Sequence, residues 1–364
     1  MKRALLHGFL GLLFFVVVHA LSHAVDTMAA ELISETRGTF HPLITTSELV
    51  VGQNRLAFGL LKAHTLLEGA QVVVRLYALA DPGAHLMAEF HAPYHTLEIT
   101  EQGAPVHHHP DGTQHVHHGE TVVRGLYVAQ VTFPHPGPWG LEVVASQEDG
   151  TTDTAGVTVM VLEAPHTVAL GAAAPRSRNL IASDVTDLRQ IDTSQPPDPR
   201  LHQVRIADAI AQGKPQVLVF ATPQFCHSRM CGPVLEIVRR LLPVYGERVV
   251  FTHQEIWQDF AARQLFRTVE EWQLLSEPWI FVVDGEGIVR AKFEGLVTVR
   301  EVEAALQPLL PLGARVRLHR QHPVDQSQAL PSGQVRERYS QRAAPDKEEQ
   351  TVQKATLKLP SYAP

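Results

Sequence analysis

The sequence predicts a multidomain chain in which an all-β sandwich precedes an α/β domain. Three observations lead there. Residues 38–163 hold short apolar segments divided by turn residues, and no helical period interrupts them. Residues 201–311 instead alternate continuous apolar runs with segments whose apolar residues recur at helical spacing. The length of 364 residues suits two domains plus extra segments.

In chain order, Lys2 and Arg3 precede an apolar run from Ala4 to Leu21, and the small residues Ser22, Ala24, Ala29 and Ala30 follow. This is the layout of an export segment, with a cut expected after Ala24. A run of about 18 apolar residues also meets the lower limit for a spanning helix, so residues 1–30 read either as a signal peptide or as an uncleaved membrane anchor. Both readings place the remainder outside the cytoplasm, in the periplasm or cell envelope or secreted, where an isolated Cys pair can be oxidised.

Expected strands in 38–163 are 49–51, 56–61, 71–79, 86–90, 97–100, 125–133, 140–145 and 154–162. Gln71-Val-Val-Val-Arg75-Leu-Tyr77 shows the apolar–polar alternation of a half-buried strand. Gly52-Gln-Asn54, Asp81-Pro-Gly83 and Glu148-Asp-Gly150 supply turns. Residues 164–200, with Pro196-Pro-Asp-Pro199, read as a linker or lead-in. The second domain is expected as helix 206–212, strand 217–221, helix 233–245, strand 249–252, helix 260–275, strands 279–284 and 288–293, and helix 299–310. Residues 312–364 lack an apolar period and carry a local positive excess, and they read as a disordered tail.

Composition excludes several classes. Asp and Glu (38) outnumber Lys and Arg (31), which argues against nucleic acid as a partner. Two Cys exclude a disulfide scaffold and a four-Cys zinc site. No Gly-x-Ser-x-Gly or His-Glu-x-x-His occurs, so hydrolase readings lack support.

Cys226 and Cys231 are the first candidates for chemistry. The loop Cys226-His-Ser-Arg-Met-Cys231 lies between an apolar strand and Gly232-Pro233, which suits a helix start. A helix N-terminus stabilises a thiolate, and His227 and Arg229 add positive character. A second thiol can then resolve a mixed disulfide. The spacing alone leaves open which Cys attacks. The competing reading is a plain structural disulfide, whose six-residue loop stabilises by about 2 kcal/mol.

The second candidate is 107–118, where six of twelve residues are His. Asp111-Gly112 signals a two-residue hairpin. That register sets His108 opposite His115 and puts His108, His115 and His117 on one face, a ligand set for Cu(II), Zn(II) or Ni(II). His91, His95 and His135 are further candidates. The competing reading is a solvated polar loop.

Two resemblances follow. Val217-Leu-Val-Phe-Ala-Thr-Pro-Gln-Phe-Cys226, Cys231-Gly-Pro-Val234 and Glu277-Pro278-Trp279 resemble the thioredoxin-like superfamily, and Leu170-Gly-Ala-Ala-Ala-Pro175 resembles the opening of its envelope TlpA/peroxiredoxin-like members. Phe225 stands where the family carries Trp, and the spacing is C-x4-C rather than C-x2-C. The resemblance implies a thioredoxin-like fold for 201–311. It also implies a cis Pro278 facing the Cys pair, with Cys226 attacking and Cys231 resolving, although the adjacent Gly-Pro argues for the reverse. Gly125–Phe133 with Pro136-Gly-Pro-Trp139-Gly-Leu-Glu-Val143 resembles the YtkA/FixH-type immunoglobulin-like envelope domains, which implies an immunoglobulin-like sandwich and an association with copper.

The combined expectation is an envelope thiol–disulfide oxidoreductase acting on protein thiols and disulfides, with Cys226, Cys231 and Pro278 as its site and no required cofactor. It touches the membrane if the N-terminal segment is uncleaved. The alternative is a copper-binding or copper-delivery protein that uses the Cys pair and the His hairpin, with Cu or Zn as the metal. Sco-type copper chaperones share the thioredoxin fold but use C-x3-C and a distant His, and no such His is placed by the sequence.

Overall fold

Period-two alternation sends one set of side chains inward along each early strand, and the result is two packed sheets. The computed structural model describes residues 39–311, except 64, 81–82, 98–105, 109–113, 117–122, 227 and 229. The expected export segment and C-terminal tail lie outside the described residues.

The first sheet runs β1 (His41–Ile44), β3 (Gly52–Lys62), β10 (Gly125–Phe133), β7 (Tyr94–Thr96), with β4 (Thr65–Leu66) also on β3. The second runs β2 (Leu49–Val50), β12 (Thr152–Leu162), β11 (Gly137–Ser146), β5 (Gln71–Ala80), β6 (Gly83–His91). Pairing is antiparallel except between β2 and β12. Leu56, Phe58 and Leu60 of β3 meet Val74, Leu76, Trp139 and Leu141 from the other sheet in one apolar core. Phe133 meets Trp139 edge-on at 5.4 Å. The Tyr127 hydroxyl donates to Leu67 O and accepts from Ala70 N, both at 3.0 Å, so its burial leaves no polar atom unpaired. The expected sandwich is therefore present.

Residues 201–311 form a second layered body. Its sheet runs β14 (Val250–Gln254), β13 (Gln216–Phe220), β17 (Trp279–Val283), β18 (Val289–Glu294). β13 pairs parallel to β14 and antiparallel to β17. Every residue of β13 is buried, as its continuous apolar run requires. The helices are α1 (Ile206–Ala211), α2 (Cys231–Tyr245), α3 (Arg267–Glu271) and α4 (Val299–Leu306). Thr298 and Glu301 form a reciprocal capping box at the start of α4.

Three expectations need correction. The helix over 260–275 is instead a small hairpin, β15 (Trp257–Asp259) with β16 (Gln264–Leu265), followed by the five-residue α3. Its apolar residues are spent on aromatic stacking and strand pairing, and Arg263 and Gln273 take positive φ (53° and 56°), which a helix cannot continue through. Residues 164–200, expected as a linker or lead-in, form an ordered strap rather than a free connection. Gly171 N–H donates to Val289 O (2.8 Å) and Ala174 N–H to Gly287 O (2.8 Å), so the strap begins on β18. It then runs through short 3-10 turns at Ala182–Asp184 and Leu188–Gln190 and buries Ile191 and Asp192, and a third turn, Pro199–Leu201, follows. The third correction concerns the His-rich hairpin. β8 (Val106–His108) pairs with β9 (Gln114–Val116) so that His107 faces His115 and His108 faces Gln114. This register differs by one residue from the expected pairing of His108 with His115. His108 is therefore not the register partner of His115, and His117 lies outside the described residues.

The sandwich and the second body share a polar and apolar junction. Glu294, at the end of β18, accepts from Ser47 N (2.7 Å), Glu48 N (2.8 Å) and Ser276 Oγ (2.6 Å). Lys292 meets Glu48 at 2.6 Å, and Arg55 meets Glu301 at 2.6 Å. Ala57, Leu126 and Val128 of the sandwich join Val297, Val299 and Val302 in a common cluster.

Candidate functional site

The site is built where β13 ends. Continuous burial carries the chain to Ala221 and Thr222, and the turn 223–225 then delivers Cys226. Cys231 opens α2, with Met230 as its N-cap residue. The two sulfurs approach to 2.6 Å and are free thiols. Cys226 is 6% exposed and Cys231 is fully buried.

The two thiols have opposite electrostatics. Cys226 sulfur accepts hydrogen bonds from the Cys231 thiol, from Ser228 (3.2 Å) and from the backbone N–H groups of Cys231 and Met230 at the helix start. These donors favour the thiolate and pull its pKa down to about 6. Cys231 moves the other way, because burial and then the adjacent Cys226 and Glu277 disfavour a second charge. The geometry therefore supports the order in which Cys226 is the thiolate and Cys231 keeps its proton.

Glu277 is the residue that the sequence reading quoted without assigning it a role. Its Oε2, 3.4 Å from Cys231 Sγ, is the alternative acceptor for the single Cys231 thiol proton. Burial first, and the nearby Cys226 second, push its carboxyl up to about 7. The signal available was its position before Pro278, but nothing in the composition of Glu277-Pro278-Trp279 marks a buried acid. The Glu277–Pro278 bond is cis, as the family resemblance implied. Trp279 is buried and its Nε1 donates to Ser276 Oγ (3.0 Å). Phe293 is partly buried under the Arg55 guanidinium, 5.9 Å away.

On the outer side, Phe225 stacks on Phe260 with ring centroids 4.3 Å apart and planes 8° from parallel, and Trp257 meets Phe260 edge-on. The aromatic hairpin β15–β16 thus walls the cysteine turn. His227 and Arg229, expected to add positive character, lie outside the described residues.

A second polar cluster lies deeper. Asp192, His202 and His253 are 0–1% exposed. Asp192 Oδ2 is 3.2 Å from His202 Nε2, and Oδ1 is 3.4 Å from His253 Nδ1. The His202 hydrogen bond and the neighbouring His253 hold Asp192 far below the carboxylate range despite burial, while burial lowers His202 and the Asp192 charge raises His253. No motif in the sequence marks His202 or His253, and Asp192 lies in the segment expected as a linker or lead-in. Two groups among the described residues could therefore hold a metal ion: Asp192, His202 and His253, and Cys226, Cys231 and Glu277.

The other His candidates do not gather here. His91 and His95 line a cleft with Glu301, and His135 packs on Trp139 at 4.7 Å.

No protein-family model matches the chain. No curated protein matches it. Among solved structures, murine CRIg is similar at 15% identity over 34% of this chain and 98% of its own, with a TM-score of 0.19. The PmoD soluble domain from Methylocystis sp. ATCC 49242 (Rockwell) is similar at 16% identity over 34% of this chain and 91% of its own, with a TM-score of 0.18. Similarities of this size assign neither a family nor an activity.

Proposed function

We propose that this chain is an extracytoplasmic thiol–disulfide oxidoreductase whose 201–311 body is thioredoxin-like. One observation carries the reading: a thiolate-prone Cys226 at a helix start, beside a protonated, buried Cys231 and the cis-Pro278 loop. In the reduced form, Cys226 thiolate attacks a sulfur of a protein disulfide. A mixed disulfide forms, and one partner thiolate leaves and takes a proton from water. Cys231 then gives its proton to Glu277, and its thiolate attacks Cys226 Sγ. The Cys226–Cys231 disulfide forms, the second partner thiolate leaves, and two electrons have passed to the partner. The reverse sequence oxidises a dithiol. The export-type N-terminus supports action on protein thiols in the cell envelope.

A second reading is copper binding or delivery. It is favoured by the close approach of Cys226, Cys231 and Glu277, whose ligand atoms lie within 4.8 Å of one another. Paired thiolates suit Cu(I) or Zn(II). The His hairpin would add imidazoles.

The deciding experiment is the reduction potential of the Cys pair, read by thiol tagging in redox buffers. A value between about −120 and −270 mV supports exchange, and one below about −300 mV identifies a structural disulfide and removes the enzyme reading. A pair that resists oxidation but retains copper favours the second reading.

A further inference from the structure

The cysteine pair accounts for one buried polar cluster, and the other has no part in exchange. Asp192 comes from the strap, His202 from the turn after Pro199–Leu201, and His253 from β14. Residues so separated in sequence converge in an interior with no solvent to satisfy them.

The hydrogen bonding of His253 fixes its tautomer. Its Nε2–H donates to the Ala221 carbonyl at 3.0 Å, so Nδ1 carries the lone pair in the neutral ring. That Nδ1 faces Asp192 Oδ1 at 3.4 Å and makes no aligned hydrogen bond. Two acceptors facing one another in a dry interior need a positive species between them. A proton would draw the pair to about 2.7–2.9 Å, the length of a charge-assisted bond. A cation with ligand bonds of about 2.0–2.2 Å instead holds tetrahedral neighbours about 3.3–3.6 Å apart. With separations of 3.2 Å to His202 and 3.4 Å to His253, and all three ligand atoms within 4.8 Å of one another, a single cation can reach one atom from each residue.

The surroundings are those of a metal ligand set. Asp192 Oδ1 accepts from Ser194 N (2.9 Å) and from the Ser194 hydroxyl, and Oδ2 accepts from Asp198 N (2.9 Å), so the carboxylate is held in place and Oδ2 keeps the lone pair that faces His202. The Ala221 carbonyl orients His253 in the same manner. We propose that Asp192, His202 and His253 bind a divalent cation of the zinc class, which clasps the strap to β14 behind the cysteine turn. Two imidazoles and one carboxylate leave a fourth position for water or another ligand.

The test must separate this site from the His-rich hairpin and the Cys pair. The full chain is first made with His→Asn at 107, 108, 109, 115, 117 and 118, then titrated with Zn²⁺ and, separately, Co²⁺. The expected result is one equivalent of tightly held zinc, a rise in Tm on binding, and a cobalt d–d spectrum without a thiolate charge-transfer band. Asp192→Asn is expected to weaken zinc at least tenfold. Should that variant fail to fold, imidazole ¹⁵N shifts of the hairpin-substituted chain decide, with zinc moving the His202 and His253 resonances. Absence of zinc binding, a thiolate band, unmoved imidazole shifts, or an Asp192→Asn chain that binds as tightly as its parent each overturns the proposal.

Discussion

The sandwich and the α/β body fill their interiors with different chemistry. Between the sandwich sheets the core is aliphatic and aromatic, and Tyr127 is its notable polar member, fully paired. The α/β body instead buries Asp192, His202, His253 and Glu255, together with two thiols. Burying such groups destabilises a fold unless each is paired, so their concentration on one side sets the two interiors apart. Under the proposed function the sandwich is the scaffold and the end of β13 carries the chemistry.

The division can be broken most sharply at Cys226. Cys226→Ser is expected to lower the rate of disulfide exchange by about a thousandfold or more, since only a thiolate attacks at useful speed. Residual exchange within a factor of ten of the parent would move the chemistry elsewhere. Cys231→Ser should instead trap the mixed disulfide, visible as a mass adduct. Next in size is pH. With Cys226 drawn down to about 6, its alkylation rate should be half-maximal near that pH and flat above about 7, where an ordinary thiol is still rising toward 9. A midpoint above 8 would show that the helix start does not hold the thiolate.

Trp139→Ala tests the other side of the comparison. It should cost about 3–5 kcal/mol in urea unfolding, yet leave the Cys226 alkylation midpoint in place for chains that remain folded. A shifted midpoint would show that the sandwich tunes the site directly. The smallest effects sharpen rather than break the contrast. Ser228→Ala removes one of several donors and should raise the Cys226 midpoint by about one unit or less. Glu277, pushed up to about 7, is still mostly protonated at the Cys226 midpoint, so Glu277→Gln should leave that midpoint within about half a unit of the parent. A rise on Glu277→Gln would mean that the carboxyl stabilises the thiolate.

What the sequence made legible follows the range of the interactions concerned. Strands such as Gln71–Ala80 and Gly125–Phe133 write their burial into local alternation, and Val217 to Ala221 writes its burial into a continuous run. The Cys turn was legible for the same reason, since strand, loop and helix start are contiguous. The His-rich register was missed because it was read from Asp111-Gly112 alone, whereas the pairing sets His107 opposite His115. The helix expected over 260–275 was missed because Gln264–Leu265 finds its partner in Trp257–Asp259, and apolar spacing alone does not reveal pairing. The Asp192–His202–His253 cluster was illegible because its members lie on three segments, and only folding shows that all three are dry.

The Glu294 carboxylate has a consequence for how such a chain can evolve. It takes hydrogen bonds from Ser47 and Glu48 of the sandwich and from Ser276, two residues before Pro278. One side chain thus fastens the sandwich loop and the cis-proline loop together. A recombination event cutting between 163 and 201 would leave Glu294, Lys292 and Arg55 facing surfaces that had not been selected to meet them. The two halves are inherited as a matched set, and a transplanted α/β body would have to recruit a replacement for residues 47–48 before its proline loop regained its mooring.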